Sequence, residues 1–336
     1  MPDLLLAADI GGSNTRLRLV DAAEPAAPLD EHVYGDGKPV ESAVRAYIER
    51  IGEQRGALRA ACFGVAGRVV DGDVSMTNRP GETLTDELLA SALGLPKQRV
   101  SVVNDMVAHL SGVELSETLT LRPGREIGGV EGIVMPGTGL GVGYAVRDAA
   151  TDRRVAMPSE GGHLDFGPPA PALDALLPWA RRRLADSGDA AARVSWEWFT
   201  SGPGLARIYC ALAAEEGREE KGVRPEAVTA AALGKESELD ASLARRATAV
   251  LLELAGARAG NLCLDILATR AIWFGGNILN MLHDHDPARF TAAVSAAFDA
   301  CGPDALRDTL VNVPLHLIRS PDSGLRGAAA LARERM

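Results

Sequence analysis

The chain has 336 residues, 46% of them hydrophobic and 24% charged, the make-up of a globular protein with material for about two domains. Its net charge of −10 argues against nucleic acid or an anionic membrane as partner, because no basic run longer than Arg181-Arg182-Arg183 offsets it. Cys62, Cys210, Cys263 and Cys301 lie far apart without a CxxC pair, which excludes a zinc ribbon or a disulfide framework.

The N-terminus, MPDLLLAAD, places no basic residue before its short apolar run, and no run approaches the roughly 18 apolar residues of a membrane span. A cytoplasmic protein is expected. Residues 4–8 are apolar and 16–20 alternate, with two glycines between them, so the chain opens on a β-hairpin. Helical spacing follows at 40–56. Next come a strand at AACFGVAG, a hairpin at RVVDGDVSMTN turning at Asp71-Gly72, a helix near 85–93 and a strand at RVSVVND. This order describes a mixed sheet flanked by helices. Beyond a helical stretch at 106–114, residues 132–147 repeat the opening form of strand, glycine turn and strand, which suggests an internal duplication. The remainder reads as helices at 172–186, 203–216, 226–234, 240–261 and 287–300, strands at RAIWFGG and NVPLHLI, and a last helix at 322–335.

DIGGSNTR (9–16) ends a buried strand on an acid, and adjacent amides at Gly11, Gly12, Ser13 and Asn14 can form an anion nest. A carboxylate beside an anion calls for a cation between them, and Mg²⁺ suits one carboxylate plus phosphates, with Asp9 reaching it directly or through water. PGTGLGVG (136–143) is a second glycine nest without the spacing of a dinucleotide fingerprint or a Walker loop. FGGN (274–277) either lets a flat ligand approach the backbone or makes a tight turn. In VVND (102–105) one residue serves as a helix N-cap, or Asp105 is a general base with Asn104 beside it. SEGGHLDFGP (159–168) concentrates Glu160, His163 and Asp165 around a Gly-Gly, which suits a polyol better than a metal. Glu197 stands between Trp196 and Trp198 ahead of a helix start at Ser201-Gly-Pro, a setting for a sugar pocket in an aromatic-poor chain.

These motifs together resemble the bacterial glucokinase family of the hexokinase and actin-like ATPase superfamily: DIGGSNTR, MTN (76–78), ND (104–105), PGTGLG (136–141), EGGHLDF (160–166), SGPGL (201–205) and FGGN, in that order along the whole chain. The resemblance implies an α/β fold of two ribonuclease-H-like domains around a central cleft, with mixed β-sheets flanked by helices. One domain would span 1–115 plus 318–336 and the other 116–317. It implies ATP-dependent phosphorylation of glucose at its 6-hydroxyl, with Asp105 as catalytic base. Asn104, Asp105, Glu160, His163 and Glu197 would hold the sugar. Asp9, Gly11, Gly12, Ser13, Asn14, Thr15, Gly137, Thr138, Gly139, Gly275 and Gly276 would hold ATP, with Mg²⁺ at Asp9. Glucose and ATP are the implied partners, without nucleic acid or membrane, and a homodimer by family analogy. Mannose, fructose or an N-acetylhexosamine as substrate, or a non-catalytic sugar sensor, are the alternatives. RPGET (79–83) departs from the family pattern at one edge of the sugar pocket, as does Asn277 after Gly-Gly.

Overall fold

The computed structural model describes residues 2–35, 38–70, 72–76, 79, 81–188 and 193–336. Asp71 of the expected hairpin turn, and Thr77 and Asn78 of the MTN motif, lie outside them. The chain divides into two compact units, one of Met1–Thr118, Gly143–Ser159 and Ile318–Met336, the other of Leu119–Val142 and Glu160–Leu317. Each displays the expected class of mixed sheets flanked by helices.

In the first unit β1 (Leu4–Ile10), β2 (Thr15–Asp21), β3 (Pro28–Tyr34) and β4 (Leu58–Val65) come first. A small three-stranded sheet follows, β5 (Arg68–Val70), β6 (Asp73–Ser75) and β7 (Thr83–Thr85), and then β8 (Val100–Asn104). The main sheet runs β3-β2-β1-β4-β8, with β1 antiparallel to β2 and parallel to β4, and β4 parallel to β8. The near-continuous apolar run of β1 follows from burial on both faces. Leu4, Leu6, Ala8 and Ile10 pack with Val44, Tyr47 and Leu89 of the helices Val40–Ile51 and Asp86–Leu93. Leu5 and Ala7 face Leu325, Ala328 and Ala329 of the helix Ser323–Arg333. That helix crosses the helix Asp105–Gly112 so closely that a Cβ at Gly327 would lie 1.7 Å from the Ala108 carbonyl oxygen.

The other sheet is built from β9 (Thr118–Arg122), β10 (Val130–Pro136), β11 (Leu140–Arg147), β12 (Arg154–Ser159), β13 (Ala271–Phe274) and β14 (Leu315–Ile318), in the order β12-β11-β10-β13-β14-β9. Leaving β9 aside, this is the strand order of the first sheet again, as a duplication requires. Residues 143–159 were expected beyond the first domain but group with it. The reason is local: β12 packs along the helix Asp105–Gly112, Arg154 Nη1 donates to the Leu110 carbonyl (3.1 Å), and Arg147 pairs with Glu114.

The core of the second unit surrounds the helix Ala241–Ile266, flanked by the helices Gly202–Glu215, Pro225–Ala232 and Pro287–Asp299. By length and composition alone that helix, though interrupted by charged residues, could cross a membrane. Yet 72% of its most apolar window is buried inside the protein.

Candidate functional site

In the first unit the expected residues gather at the C-terminal ends of neighbouring parallel strands. Asp9 on β1 is level with Gly64 on β4, and Val65 is level with both Ile10 and Asn104. At a strand spacing of about 4.8 Å, the end of β8 therefore lies roughly 10 Å from the end of β1. Asp9 is half-buried, and among the described residues no side-chain hydrogen bond or ion pair engages its carboxylate. The turn after it closes when Gly11 N donates to the Asn14 carbonyl (2.9 Å). Gly12 and Ser13 are half-buried, Asn14 is exposed, and Thr15 is fully buried with its hydroxyl lacking any partner.

Asn104 caps the helix Asp105–Gly112, its Oδ1 accepting from Met106 N (3.0 Å) while Nδ2 donates to the Gly67 carbonyl (3.1 Å). Both readings of VVND thus fall on one residue pair. Asn104 takes the cap, which leaves Asp105 as first residue of the helix, half-buried, with one carboxylate oxygen accepting from Met106 N (2.9 Å).

In the second unit the turn 137–139 joins β10 to β11. Its amide and carbonyl groups are held from three sides. Gly137 N donates to the Gly139 carbonyl (2.8 Å), Gly202 N donates to the Gly137 carbonyl (2.8 Å), and Leu140 N donates to Glu197 Oε2 (2.9 Å). Gly137 and Thr138 remain exposed, with open space where a Cβ of residue 137 would stand. A Cβ at 139 would lie 2.5 Å from Glu197 Oε2, so a side chain there would have to displace that carboxylate.

Gly276 has φ +97°, and a Cβ there would meet the Pro136 carbonyl oxygen at 2.3 Å, while Gly275 N donates to the Val134 carbonyl (3.3 Å). FGGN therefore sits against the end of β10, immediately before Gly137. The EGGH segment is a short 3₁₀ turn seated on Leu140, whose carbonyl oxygen would be 2.2 Å from a Cβ at Gly162. It presents Glu160 and His163 as exposed side chains, Nε2 to Oε2 3.7 Å apart. Leu140 is the hub that brings Gly137–Gly139, Glu197 and the EGGH turn together.

The tryptophans beside Glu197 do different work from that expected. Residues 196–199 form a helical turn. Trp196 is buried edge-on against Phe166 (5.2 Å between centroids), and Trp198 lies beneath the guanidinium of Arg207 (4.0 Å). Ser201 is the helix N-cap as expected, its hydroxyl accepting from Gly204 N (3.0 Å). Asp165 pairs with Arg193 at the surface.

Two arginines, Arg79 of the RPGET segment and Arg258, to neither of which the motifs assign a role, support these loops. Arg79, 9% exposed, donates from Nε to the Gly11 carbonyl (3.1 Å) and from Nη1 to that of Lys38 (3.4 Å), while its Nη2 is buried without a partner. Arg258, 1% exposed on the long helix, donates from Nε and Nη2 to the Gly161 carbonyl (3.3 and 3.2 Å). Burial is the largest influence on the Arg258 guanidinium and lowers its pKa, Asp265 acting against it. The available signal was an arginine in the mostly small and apolar stretch 254–264 of the long helix, and an arginine next to a strand-end turn.

The orphaned Thr15 hydroxyl and the unengaged Asp9 carboxylate fit a phosphate-bound divalent ion. No three potential metal ligands group together among the described residues, so such an ion would draw on Asp9, water and phosphate, the usual manner of holding Mg²⁺.

A family model described as Glucokinase matches residues 6–335. A glucokinase of Yersinia enterocolitica is 28% identical over 100% of this chain and 98% of its own. Among solved structures, a glucokinase from an Antarctic psychrotroph is 25% identical with a TM-score of 0.75, covering 99% of this chain and 100% of its own. A ROK family glucokinase from Streptomyces griseus, in complex with glucose and AMPPNP, is 22% identical with a TM-score of 0.66, covering 98% of this chain and 99% of its own.

Proposed function

The chain belongs to the glucokinase family and is an ATP-dependent hexose kinase, and from that premise we propose that it transfers the γ-phosphoryl group of ATP to the 6-hydroxyl of glucose with Asp105 as general base. One observation carries the assignment of Asp105. Among the residues proposed for the sugar it alone begins a helix at a parallel-strand end two strands from Asp9 and the 11–14 turn, where open α/β sheets generally present ligands.

Phosphoryl transfer passes through a largely dissociative transition state, so positioning and charge neutralisation matter more than a strong base. The amides of Gly12 to Asn14 and of Thr138 and Gly139 are the proposed phosphate donors, the Gly11 and Gly137 amides closing their own turns, with Gly275 and Gly276 beside the adenosine. Bound Mg²⁺ would neutralise charge on the phosphate oxygens, with Asp9 as its protein ligand. Asn104, Glu160, His163 and Glu197 are assigned to the sugar hydroxyls, Glu197 through the carboxylate edge that Leu140 N leaves free. Asp105 orients the attacking hydroxyl and accepts its proton late. A cytoplasmic setting, where ATP and free hexose meet, accords with this reading. The glucose and AMPPNP held by the Streptomyces griseus relative support the substrate pair.

Asp105→Asn is expected to lower kcat by about 10²–10⁴-fold with little change in glucose KM. An unaltered kcat removes Asp105 from the mechanism. An ADP-release assay across glucose, mannose, fructose and N-acetylglucosamine tests the substrate, and a higher kcat/KM for another hexose overturns glucose.

A further inference from the structure

A cavity of about 420 Å³ opens in the second unit between the helix Leu176–Asp186, the helix Gly202–Glu215 and the segment 220–225. Its size is that of a small-molecule site. The wall is chiefly apolar, from Trp179, Ala206, Val223 and Pro225, yet Arg183, Arg207 and Lys221 also line it. Both guanidinia are already oriented by aromatic rings. Arg183 lies 5.5 Å from the centroid of Trp179, and Arg207 lies 4.0 Å from that of Trp198 and donates to the Trp198 carbonyl (2.9 Å). Neither makes an ion pair among the described residues. Lys221 pairs with Glu219, and Glu220, the one acid in the wall, bridges to neither guanidinium.

Burial lowers the pKa of Arg207, against the pull of Glu197, and among the described residues no carboxylate comes within ion-pair distance of its guanidinium. In a chain of net charge −10, two half-buried and unpaired guanidinia around one apolar hollow need an explanation. An anion supplies one, since hydrogen bonds to charged groups are roughly twice as strong as neutral ones.

We propose that this cavity is a binding site, separate from the ATP and sugar sites, for a small organic anion whose flat apolar body lies against Trp179 and whose acid group is taken by Arg183 and Arg207. The floor of the cavity is continuous with the proposed nucleotide loop. Pro203 lines the hollow, and the preceding residue, Gly202, donates to the Gly137 carbonyl.

The probe is 2-naphthoate, titrated calorimetrically into enzyme saturated with glucose and AMPPNP, so that binding at the proposed catalytic residues is suppressed. One-to-one saturable binding is expected. It should weaken about tenfold or more in Arg183→Gln, and by a similar factor when neutral 2-naphthol replaces the acid. Lys221→Gln, at an exposed position, should weaken it less. Both variants should phosphorylate glucose at the parent rate without probe, which reports an intact fold. Absence of saturable binding, equal affinity in Arg183→Gln and the parent, or binding seen only when AMPPNP is omitted each overturns the proposal. None of these results bears on Asp105.

Discussion

The turn after β1 and the turn after β10 occupy the same place in two sheets of the same strand order, yet they are held by side chains of opposite charge. At the first, the buried guanidinium of Arg79 grips the Gly11 carbonyl. At the second, the carboxylate of Glu197 takes the Leu140 amide, and a backbone amide from Gly202 takes the Gly137 carbonyl. In both cases a donor seizes the carbonyl of the first glycine of the turn. Amides that are to face phosphate must point outward, so an anchor that keeps them free has to work on carbonyls. The second turn has an additional clamp just past its last glycine, and a Cβ at 139 would strike it. The lesson is that equivalent backbone geometry was secured twice by unrelated means.

Of the two turns, the second should show the larger effect when its clamp is broken. Glu197→Ala leaves Leu140 N without its charged acceptor and should lower kcat/KM for ATP by about 10–100-fold, whereas Glu197→Gln should recover most of it at the turn. Equal losses in both would mean that the carboxylate charge, not the Leu140 bond, is what matters. At the first turn, Arg79→Ala should raise the ATP KM about tenfold with a smaller change in kcat, and Arg79→Lys should restore part of it. If the glucose KM moves instead, Arg79 serves the sugar side.

The strand leaving the first turn has a buttress of its own. Arg18 on β2 pairs with Asp322 (2.8 Å), which also receives Arg326 Nε (2.9 Å). Burial pushes the Asp322 carboxyl upward, but Arg326 and Arg18 outweigh it and hold the group below its ordinary value. A depressed carboxylate contributes its stability above the ordinary aspartate range and loses it as pH falls through the folded-state value. Asp322→Asn should therefore cost about 2 kcal/mol at pH 7 in urea unfolding. The gap between variant and parent should close below about pH 4. A gap that widened on acidification would contradict this pairing. The smallest structural effect is expected at Gly137→Ala, where a Cβ enters open space. Stability should change by no more than about 0.5 kcal/mol, so any rise in ATP KM would report the loop itself.

The three main-sheet strands that sequence reading passed over are all edges: β3 of the first sheet, β9 and β12 of the other. Their burial patterns are mostly exposed or intermediate. An edge strand lacks the two-faced burial that makes a segment such as LLLAADI conspicuous, and its order comes from pairing with a neighbour.

By itself the sequence determined the buried strands, the glycine turns at their ends, the cap at Ser201, and the family to which these motifs belong. Local chemistry suffices there, because period, backbone freedom and cap preference act over a few residues. Only the tertiary structure decided that Glu197 reaches Leu140, that Arg79 and Arg258 hold glycine loops from beneath, and that Trp196 is core. Those are bonds between residues 57, 68 and 97 positions apart in the Glu197, Arg79 and Arg258 cases, and no periodicity carries information over that distance.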